Sequence, residues 1–251
     1  MRYKIGRTIE KSLVKNFFKG KVIILTGPRQ VGKTTLINHI LENYDNIISF
    51  NGDDRNDRET LAKNSFKYLD NLIGSKDIVF IDEAHKIEDI GNTLKLLVDN
   101  YGDTKQVIAT GSSSLNLLSH TSEPLTGRKY IYELYPLSVS EIYSQRHPLD
   151  LDKELENLLI YGTYPDIYIG SRKVKEERLL EITRSYLYKD ILALEEIRSS
   201  SSIDKLLSAL ALQIGSEVSL NELGNLLNLN LRTVERYIDL LEKNYVIFRL
   251  P

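Results

Sequence analysis

The sequence contains no cysteine and no tryptophan, and only one methionine in 251 residues. Without cysteine there is neither a disulfide nor a thiolate metal site, and nothing points to an oxidising compartment. Long apolar runs are missing too. None approaches the roughly 20 residues that span a bilayer. The opening stretch, MRYKIGRTIEKSLVKNFF, has no apolar core followed by small residues, so no secretory signal is expected and the cytoplasm is the expected location. Charge of one sign is not in excess either: 33 Lys+Arg against 35 Asp+Glu leave −2, which gives no global pull toward nucleic acid. The four histidines, His39, His85, His120 and His147, lack ligand spacing, so a structural zinc site is not expected. His85 follows the pair Asp82-Glu83 and could touch their site, but it reads first as a surface residue at the start of a helix. What remains, 41% hydrophobic and 27% charged residues, is ordinary for a globular chain.

Periodicity orders the first part of the chain as strand, helix, strand, helix. After a helix at 8–18, KVIILTG (21–27) is a short apolar run ending in glycine and predicts a buried strand. A helix follows from Lys33 to Asn43, with Leu36, Ile37, Ile40 and Leu41 on its buried face. NIISF (46–50) predicts a second strand. Asp57 then caps a helix in which Ala62, Phe66, Leu69 and Ile73 share one face, ended by Gly74. DIVFID (77–82) is the third strand, an amphipathic helix runs from about Ile90 to Gly102, and QVIAT (106–110) and KYIYEL (129–134) complete five strands. Strands alternating with helices imply an α/β fold with a parallel sheet covered on both faces, whose ligands bind beyond the carboxyl ends of the strands. From Pro136 the pattern turns helical, with helices near 138–144, 151–161 and 173–198. The serine run 199–202 reads as a linker, and three short helices and a strand, YVIFRL, follow. The dense tyrosines between Tyr130 and Tyr168 read as the contact of a helical lid with the sheet, ahead of a stacking platform for single-stranded nucleic acid.

Gly27-Pro28-Arg29-Gln30-Val31-Gly32-Lys33-Thr34 fits G-x-x-x-x-G-K-[ST], with a strand before it and a helix after it. Such a loop wraps a phosphate chain in backbone N–H groups, and side chains at the glycines would crowd that approach. The helix from Gly32 directs its positive dipole end at the phosphates. Lys33 reaches the β- and γ-phosphates, and the Thr34 hydroxyl ligates Mg²⁺. Arg29 occupies a position that faces away from the phosphates. The alternative is a glycine-bearing turn that matches by chance, and the strand and helix flanks weigh against it.

Ile78–Ile81 are four apolar residues followed by Asp82 and Glu83. Buried beside the first strand, that run brings Asp82 to Thr34, where it holds Mg²⁺. Glu83 is then placed to polarise an attacking water. The bland reading is a strand that exits into a polar turn, and the upstream loop at suitable spacing argues against it. A small-molecule kinase would not need a water-activating glutamate here. Strand four ends Thr110-Gly111-Ser112-Ser113-Ser114, so Ser112, with Thr110 in reserve, is the candidate hydroxyl for the γ-phosphate or the water. The competing reading is a serine-rich turn capping the next helix. Arg128, just before strand five, is a candidate for transition-state charge, against its reading as an exposed loop arginine. Asp53 or Asp54 could approach the metal, since strand two ends there.

These motifs resemble the bacterial and archaeal AAA+-like ATPases of the STAND type, in which an AAA domain precedes a C-terminal domain of unknown function. LTGPRQVGKTT, IVFIDEAHKI, VIATGSSS and LTGRKYIYELYPLSVSEI carry the resemblance, and YGTYPDIY, SYLYKDIL and 218–251 are similar as well. The resemblance implies a P-loop fold with a five-stranded sheet, the sensor strand inserted between the P-loop strand and the acidic strand, then a helical lid and a winged helix. It also implies ATP and Mg²⁺ as ligands, and the absence of an N-K-x-D guanine motif agrees. Carried over by position, Gly27, Gln30, Val31, Gly32, Lys33, Thr34 and Thr35 bind nucleotide, and Thr34 and Asp82 hold the metal. Asp82 and Glu83 serve catalysis and Ser112 is the sensor; Lys33 and Arg128, read from the residues themselves, are the further catalytic candidates, with Arg128 acting in its own subunit or in another. The expected domains are a core at 1–144, a lid at 145–200 and a partial winged helix at 201–251. The expected role is an ATP-driven switch with slow or partner-stimulated hydrolysis to ADP. A module that holds ATP without turning it over, and a DNA-associated ATPase, are the alternatives.

The tail bears on partners. Ser219–Leu227, a turn at 228–230 and Leu231–Lys243 read as a helix-turn-helix, with Val234, Tyr237, Ile238 and Leu241 buried. The opposite face carries Arg232, Arg236 and Lys243 against Glu235, Asp239 and Glu242, which sum to zero. Residues 201–251 hold five Lys/Arg and six Asp/Glu, a net −1. DNA binding rests largely on phosphate neutralisation, so a protein partner or self-association is expected ahead of DNA, and no membrane.

Overall fold

The computed structural model describes residues 5–111, 125–144, 149–182 and 200–249, with only the course of the backbone for 149–153 and 200. The described chain forms two compact units, divided between Ser171 and Arg172.

In the first unit a short helix α1 (Glu10–Lys15) leads to β1 (Val22–Thr26), α2 (Lys33–Leu41), β2 (Ile47–Asn51), α3 (Arg55–Leu61) and α4 (Phe66–Ile73). Then come β3 (Ile78–Asp82), a 3₁₀ turn (Ala84–Lys86), α5 (Ile90–Tyr101), β4 (Gln106–Gly111) and β5 (Lys129–Glu133). The strands form one parallel sheet in the order β2-β3-β4-β1-β5. β4, the expected sensor strand, therefore lies between β1 and β3. This is the α/β P-loop fold that the motifs predict.

Residue choice along the strands explains the two layers. β1, β3 and β4 lie inside the sheet, and their apolar runs are buried on both faces. Alternate residues serve opposite layers. Val22, Ile24, Val79, Ile81 and Val107 face Leu69, Ile73, Leu94 and Leu97 of α4 and α5. Ile23, Leu25, Ile78, Phe80 and Ile108 face Leu13 of α1 and Leu36, Ile37 and Ile40 of α2. β2 and β5 are the edges and are only partly buried.

The helix expected across 57–73 is two helices. Asp54, not Asp57, is its first cap: the Asp54 side chain accepts from the Asn56 and Asp57 amides, while Asp57 accepts from the Asn51 amide. Asn64, at φ 48°, breaks the run before α4, as a short polar residue in the left-handed region does.

Beyond the sheet are α6 (Val139–Tyr143), α7 (Leu149–Tyr161) and α8 (Pro165–Tyr168). A capping box starts α6, in which Ser138 and Glu141 satisfy each other's amides.

The second unit holds α9 (Arg172–Ile182), α10 (Ser200–Ala211), α11 (Leu220–Leu227) and α12 (Leu231–Lys243). Ser200–Ser202, expected as a linker, are the first turn of α10, a position where serine is well accommodated. α10, α11 and α12 share a core that includes Leu206, Leu223, Val234, Tyr237, Ile238 and Leu241. The four residues expected on the buried face of α12 are there. Ser219 and Asn230 cap α11 and α12. The expected strand YVIFRL does not form among its described residues: Val246 donates its amide to Leu241, the end of α12, rather than to a neighbouring strand. No strand is present among the described residues of this unit, so the wing of a winged helix is not seen.

Candidate nucleotide site

The site lies where β1, β3 and β4 end. β1 runs into the loop Gly27–Gly32, and Gly32 caps α2 in the left-handed conformation, φ 92°. Gly27 holds φ 142°, and a Cβ there would lie 2.0 Å from the Leu134 carbonyl. The loop thus hugs the end of β5 at a distance that only glycine allows. At Gly32 a Cβ would meet nothing within 4 Å, so the start of α2 opens on free space.

Lys33 is 6% exposed, and its ammonium donates to the Gly27 and Pro28 carbonyls at 2.9 and 2.7 Å. Burial pushes its pKa down to about 8, further lowered by Arg29 and opposed by Glu83 and Asp82. The Thr34 hydroxyl donates to the Asp82 carboxylate, 3.0 Å from Oδ1 and 2.9 Å from Oδ2. Thr110, at the end of β4, ties the two acids together: its hydroxyl donates to Asp82 Oδ1 and accepts the Glu83 amide at 3.2 Å.

Glu83 has left-handed backbone angles, φ 49° and ψ 39°, a conformation that costs a non-glycine residue of order 1 kcal/mol or more. Burial raises its carboxyl above the usual range, and Asp82 adds to this, against Lys33, Lys86 and Arg29. Beside it, the imidazole of His85 is buried, not a surface group, and desolvation followed by Lys86, Arg29 and Lys33 drives its pKa to about 4.

A cavity of about 300 Å³ is lined by Gln30, Val31, Gly32, Lys33, Thr34, Thr35 and Glu83, and closed by residues from both flanks of the core. Ile5 and Arg7 come from the N-terminal segment, Leu137 precedes α6, and Pro165, Asp166 and Ile169 belong to α8 and its end. Gly32, Lys33, Thr34 and Glu83, which the sequence proposes, are therefore brought together, with Asp82 joined through Thr34.

Of the remaining proposals, Arg128 does not gather there. Ser112 lies outside the described residues; Thr110, the reserve, is the β4 hydroxyl that reaches the acids. Arg128 lies at the opposite end of the sheet. Its carbonyl accepts the amide of Val22, the first residue of β1, and its guanidinium pairs with Asp99. That is a strand's length, roughly 15 Å, from the loop, so within its own chain it does not meet a γ-phosphate. Asp53 pairs with Lys86 and Asp54 caps α3 rather than serving a metal.

Arg7 carried no motif in the sequence. Buried, it donates to the Val31 carbonyl at 2.8 Å, to the Tyr135 carbonyl, and to Glu141 at 3.2 Å. The signal that could have found it, a lone arginine ahead of the first helix, has no spacing to mark it.

The donors suit a hard cation. Thr34 and Asp82 offer oxygen ligands, and no group of three or more His, Asp or Glu residues able to hold a metal occurs among the described residues. That fits Mg²⁺, which takes few protein ligands and completes its shell with water and phosphate.

Comparisons with known proteins agree with this geometry. The family described as "AAA domain" matches residues 19–143, and a "Domain of unknown function (DUF8612)" matches residues 152–251. Residues 19–143 thus resemble the AAA domain family, on a P-loop NTPase fold related to that of known ATPases, and the matched domain of unknown function follows. An uncharacterized protein of Mycobacterium tuberculosis is 27% identical over 233 residues, 92% of this chain and 50% of that protein. An uncharacterized protein of Methanocaldococcus jannaschii is 24% identical over 297 residues, 100% of this chain and 59% of that one. The chain thus spans about half the length of the curated relatives it matches. Among solved structures, a Walker-type ATPase of Pyrococcus abyssi shares the fold, with a TM-score of 0.56 and 16% identity over 96% of this chain and 89% of that chain. No helix among the described residues is long and apolar enough to cross a membrane.

Proposed function

We propose that this chain binds ATP with Mg²⁺ and hydrolyses it, and that the nucleotide state switches its contact with a protein partner in the cytoplasm. The observation that carries this reading is the Thr34 hydroxyl resting on both oxygens of Asp82 while Lys33 and Glu83 line the same cavity.

The loop amides of Gln30–Thr35 and the start of α2 hold the phosphates. Lys33, on exchanging the Gly27 and Pro28 carbonyls for phosphate oxygens, brings a positive charge to the β- and γ-groups. The apolar lining residues Ile5, Leu137, Pro165 and Ile169 offer contacts for the base. Thr34 and Asp82 would hold Mg²⁺, which would supply charge neutralisation to the phosphates. Glu83 orients the water and takes its proton, a role that its raised pKa favours. Thr110 keeps Asp82 and Glu83 in register.

Switching rests on the cavity being shared. Residues of α8, in the region read as the lid, line the same space as the loop, so a bound nucleotide touches both. A protein partner is preferred to DNA because the charges of α12 offset each other, and Arg249 engages both Asp239 and Glu242 there.

The test is Mg²⁺-dependent phosphate release by the wild type and by Glu83→Gln, with ATP binding measured for both. Turnover in the wild type, with binding retained and turnover lost by about a hundredfold or more in the variant, is expected for removal of a general base. Binding without turnover in the wild type would overturn hydrolysis and leave an ATP-holding module.

A further inference from the structure

A 3₁₀ turn folds the chain back just after the two acids. Lys86 donates its amide to the Glu83 carbonyl at 3.0 Å and Ile87 to the Ala84 carbonyl at 3.1 Å, while Ala84 is fully buried against the sheet. The turn sets the His85 ring over the Glu83 side chain, with Nδ1 3.3 Å from Oε2 and side-chain exposures of only 8% and 23%. Neither atom has a hydrogen-bond partner, although both are buried. Two orphaned polar atoms that face each other in a native interior call for an explanation.

We infer that His85 is the positioning residue for Glu83: the neutral imidazole in its Nδ1–H form donates to Glu83 Oε2 when the site closes, which fixes the carboxylate and leaves Oε1 to the attacking water.

Chemistry restricts the choice. A neutral imidazole carries one N–H and one lone pair. With the lone pair on Nδ1, it would face the carboxylate oxygen and repel it; with the proton there, the contact is a charge-assisted hydrogen bond. Imidazolium is disfavoured by burial and by the cations around it, Lys86, Arg29 and Lys33, against Asp53 alone; Glu83 itself is faced by Lys33, Lys86, Arg29 and Asp82. The 3.3 Å separation needs only a small turn of either side chain to become a bond.

The inference rests on Glu83 being the base, yet the tautomer can be read without any turnover. In nucleotide-free protein with ¹⁵N-labelled histidines, the ring-nitrogen shifts separate the two neutral tautomers and imidazolium, and His85→Asn assigns the His85 signals. The expected state is neutral with the proton on Nδ1; a proton on Nε2, or imidazolium, overturns the inference. Kinetics supply the second arm. Asn places its amide where Nδ1 stands, whereas Gln places its amide near Nε2. His85→Asn is expected to stay within about threefold of the wild-type kcat, while His85→Gln and His85→Ala lose about tenfold or more, the scale of one hydrogen bond to a charged group. ATP affinity is unchanged in all three. Equal loss in Asn and Gln overturns the positioning role. Absence of turnover in the wild type counts against hydrolysis itself, and the tautomer then decides the inference.

Discussion

The hydroxyl of Thr34 lies within hydrogen-bond reach of both carboxylate oxygens of Asp82, 48 residues along the chain. The first turn of α2 and the last residue of β3 therefore meet at one point, and that point is built of hard oxygen donors. Thr34→Val keeps the shape and removes the donor. ATP binding without Mg²⁺ should be little changed, while the strengthening by Mg²⁺ falls by at least about tenfold, since loss even of an outer partner of a metal ligand costs that much. Thr34→Ser should restore it. Titrations with a fluorescent ATP analogue, with and without Mg²⁺, check this; equal Mg²⁺ enhancement in Val and wild type would remove Thr34 from the metal site.

Gly52 supports the acids from behind. Its amide donates to the Asp82 carbonyl at 2.8 Å, and a Cβ there would stand 2.2 Å from the Glu83 carbonyl. Backbone cannot yield as a side chain tip does, so Gly52→Ala must shift the turn that carries Glu83. A loss of about 1–3 kcal/mol in stability is the usual scale for such crowding. Turnover should fall by more than ATP affinity, because the loop Gly27–Gly32 is not touched. Thermal unfolding together with kcat and Kd measures both. An unchanged kcat would show that the turn tolerates displacement.

How much of this was legible in the sequence follows from the range of each interaction. Gly27–Thr34 and Asp82–Glu83 stand at strand ends that their own neighbours define, so local pattern located them. The buried faces of α2 and α12 followed from periodicity in the same way. That Thr110 meets Asp82 is not a local feature: the depth at which β4 ends depends on its register with β1, and pairing of Thr26 with Gly111 leaves Thr110 inside the sheet beside Asp82. Arg128 stays away from the loop of its own chain for a related reason: its position one residue before β5 puts it at the amino end of a parallel strand, away from the carboxyl ends. His85 looked like a surface residue because only the left-handed backbone of Glu83 and the tight turn after it bring the ring inward. Arg7 could not be found locally, since its partner Glu141 is 134 residues away.

That remote pair gives a stability prediction. Glu141 accepts from the Arg7 guanidinium, from the Thr8 amide at 2.8 Å and from the Ser138 amide at 2.9 Å. Burial alone would raise its carboxyl, but the Ser138 and Thr8 amides and Arg7 outweigh burial and hold it below the usual range. Arg7→Met leaves this buried charge without its countercharge and also frees the Val31 carbonyl of the phosphate loop. Breaking a buried pair on one side costs about 3–5 kcal/mol. Arg7→Met with Glu141→Gln should cost clearly less than the sum of the single changes. Denaturant unfolding of the four proteins completes the cycle; strict additivity would show that the pair does not act as a unit.

Lys33 links the phosphate loop to pH. With a folded pKa of about 8 against 10.5 for the free side chain, the nucleotide-free protein binds fewer protons than the unfolded chain between those values. Its stability contribution therefore rises with pH across that window, and the burden of the buried charge is fully present below it. A bound triphosphate reverses the balance, because the anion favours the ammonium. ATP binding above about pH 8 must then take up a proton, and affinity must fall as the pH rises through that region. A non-hydrolysable ATP analogue with the wild-type protein permits the measurement by calorimetry in two buffers of different ionisation enthalpy. Proton uptake near one at about pH 9, and little at pH 7, is the expected result for a lysine held in this state. Equal heats in the two buffers at the higher pH would mean that the ammonium is already charged in the phosphate loop, and that Gly27 and Pro28 hold it as firmly as phosphate does.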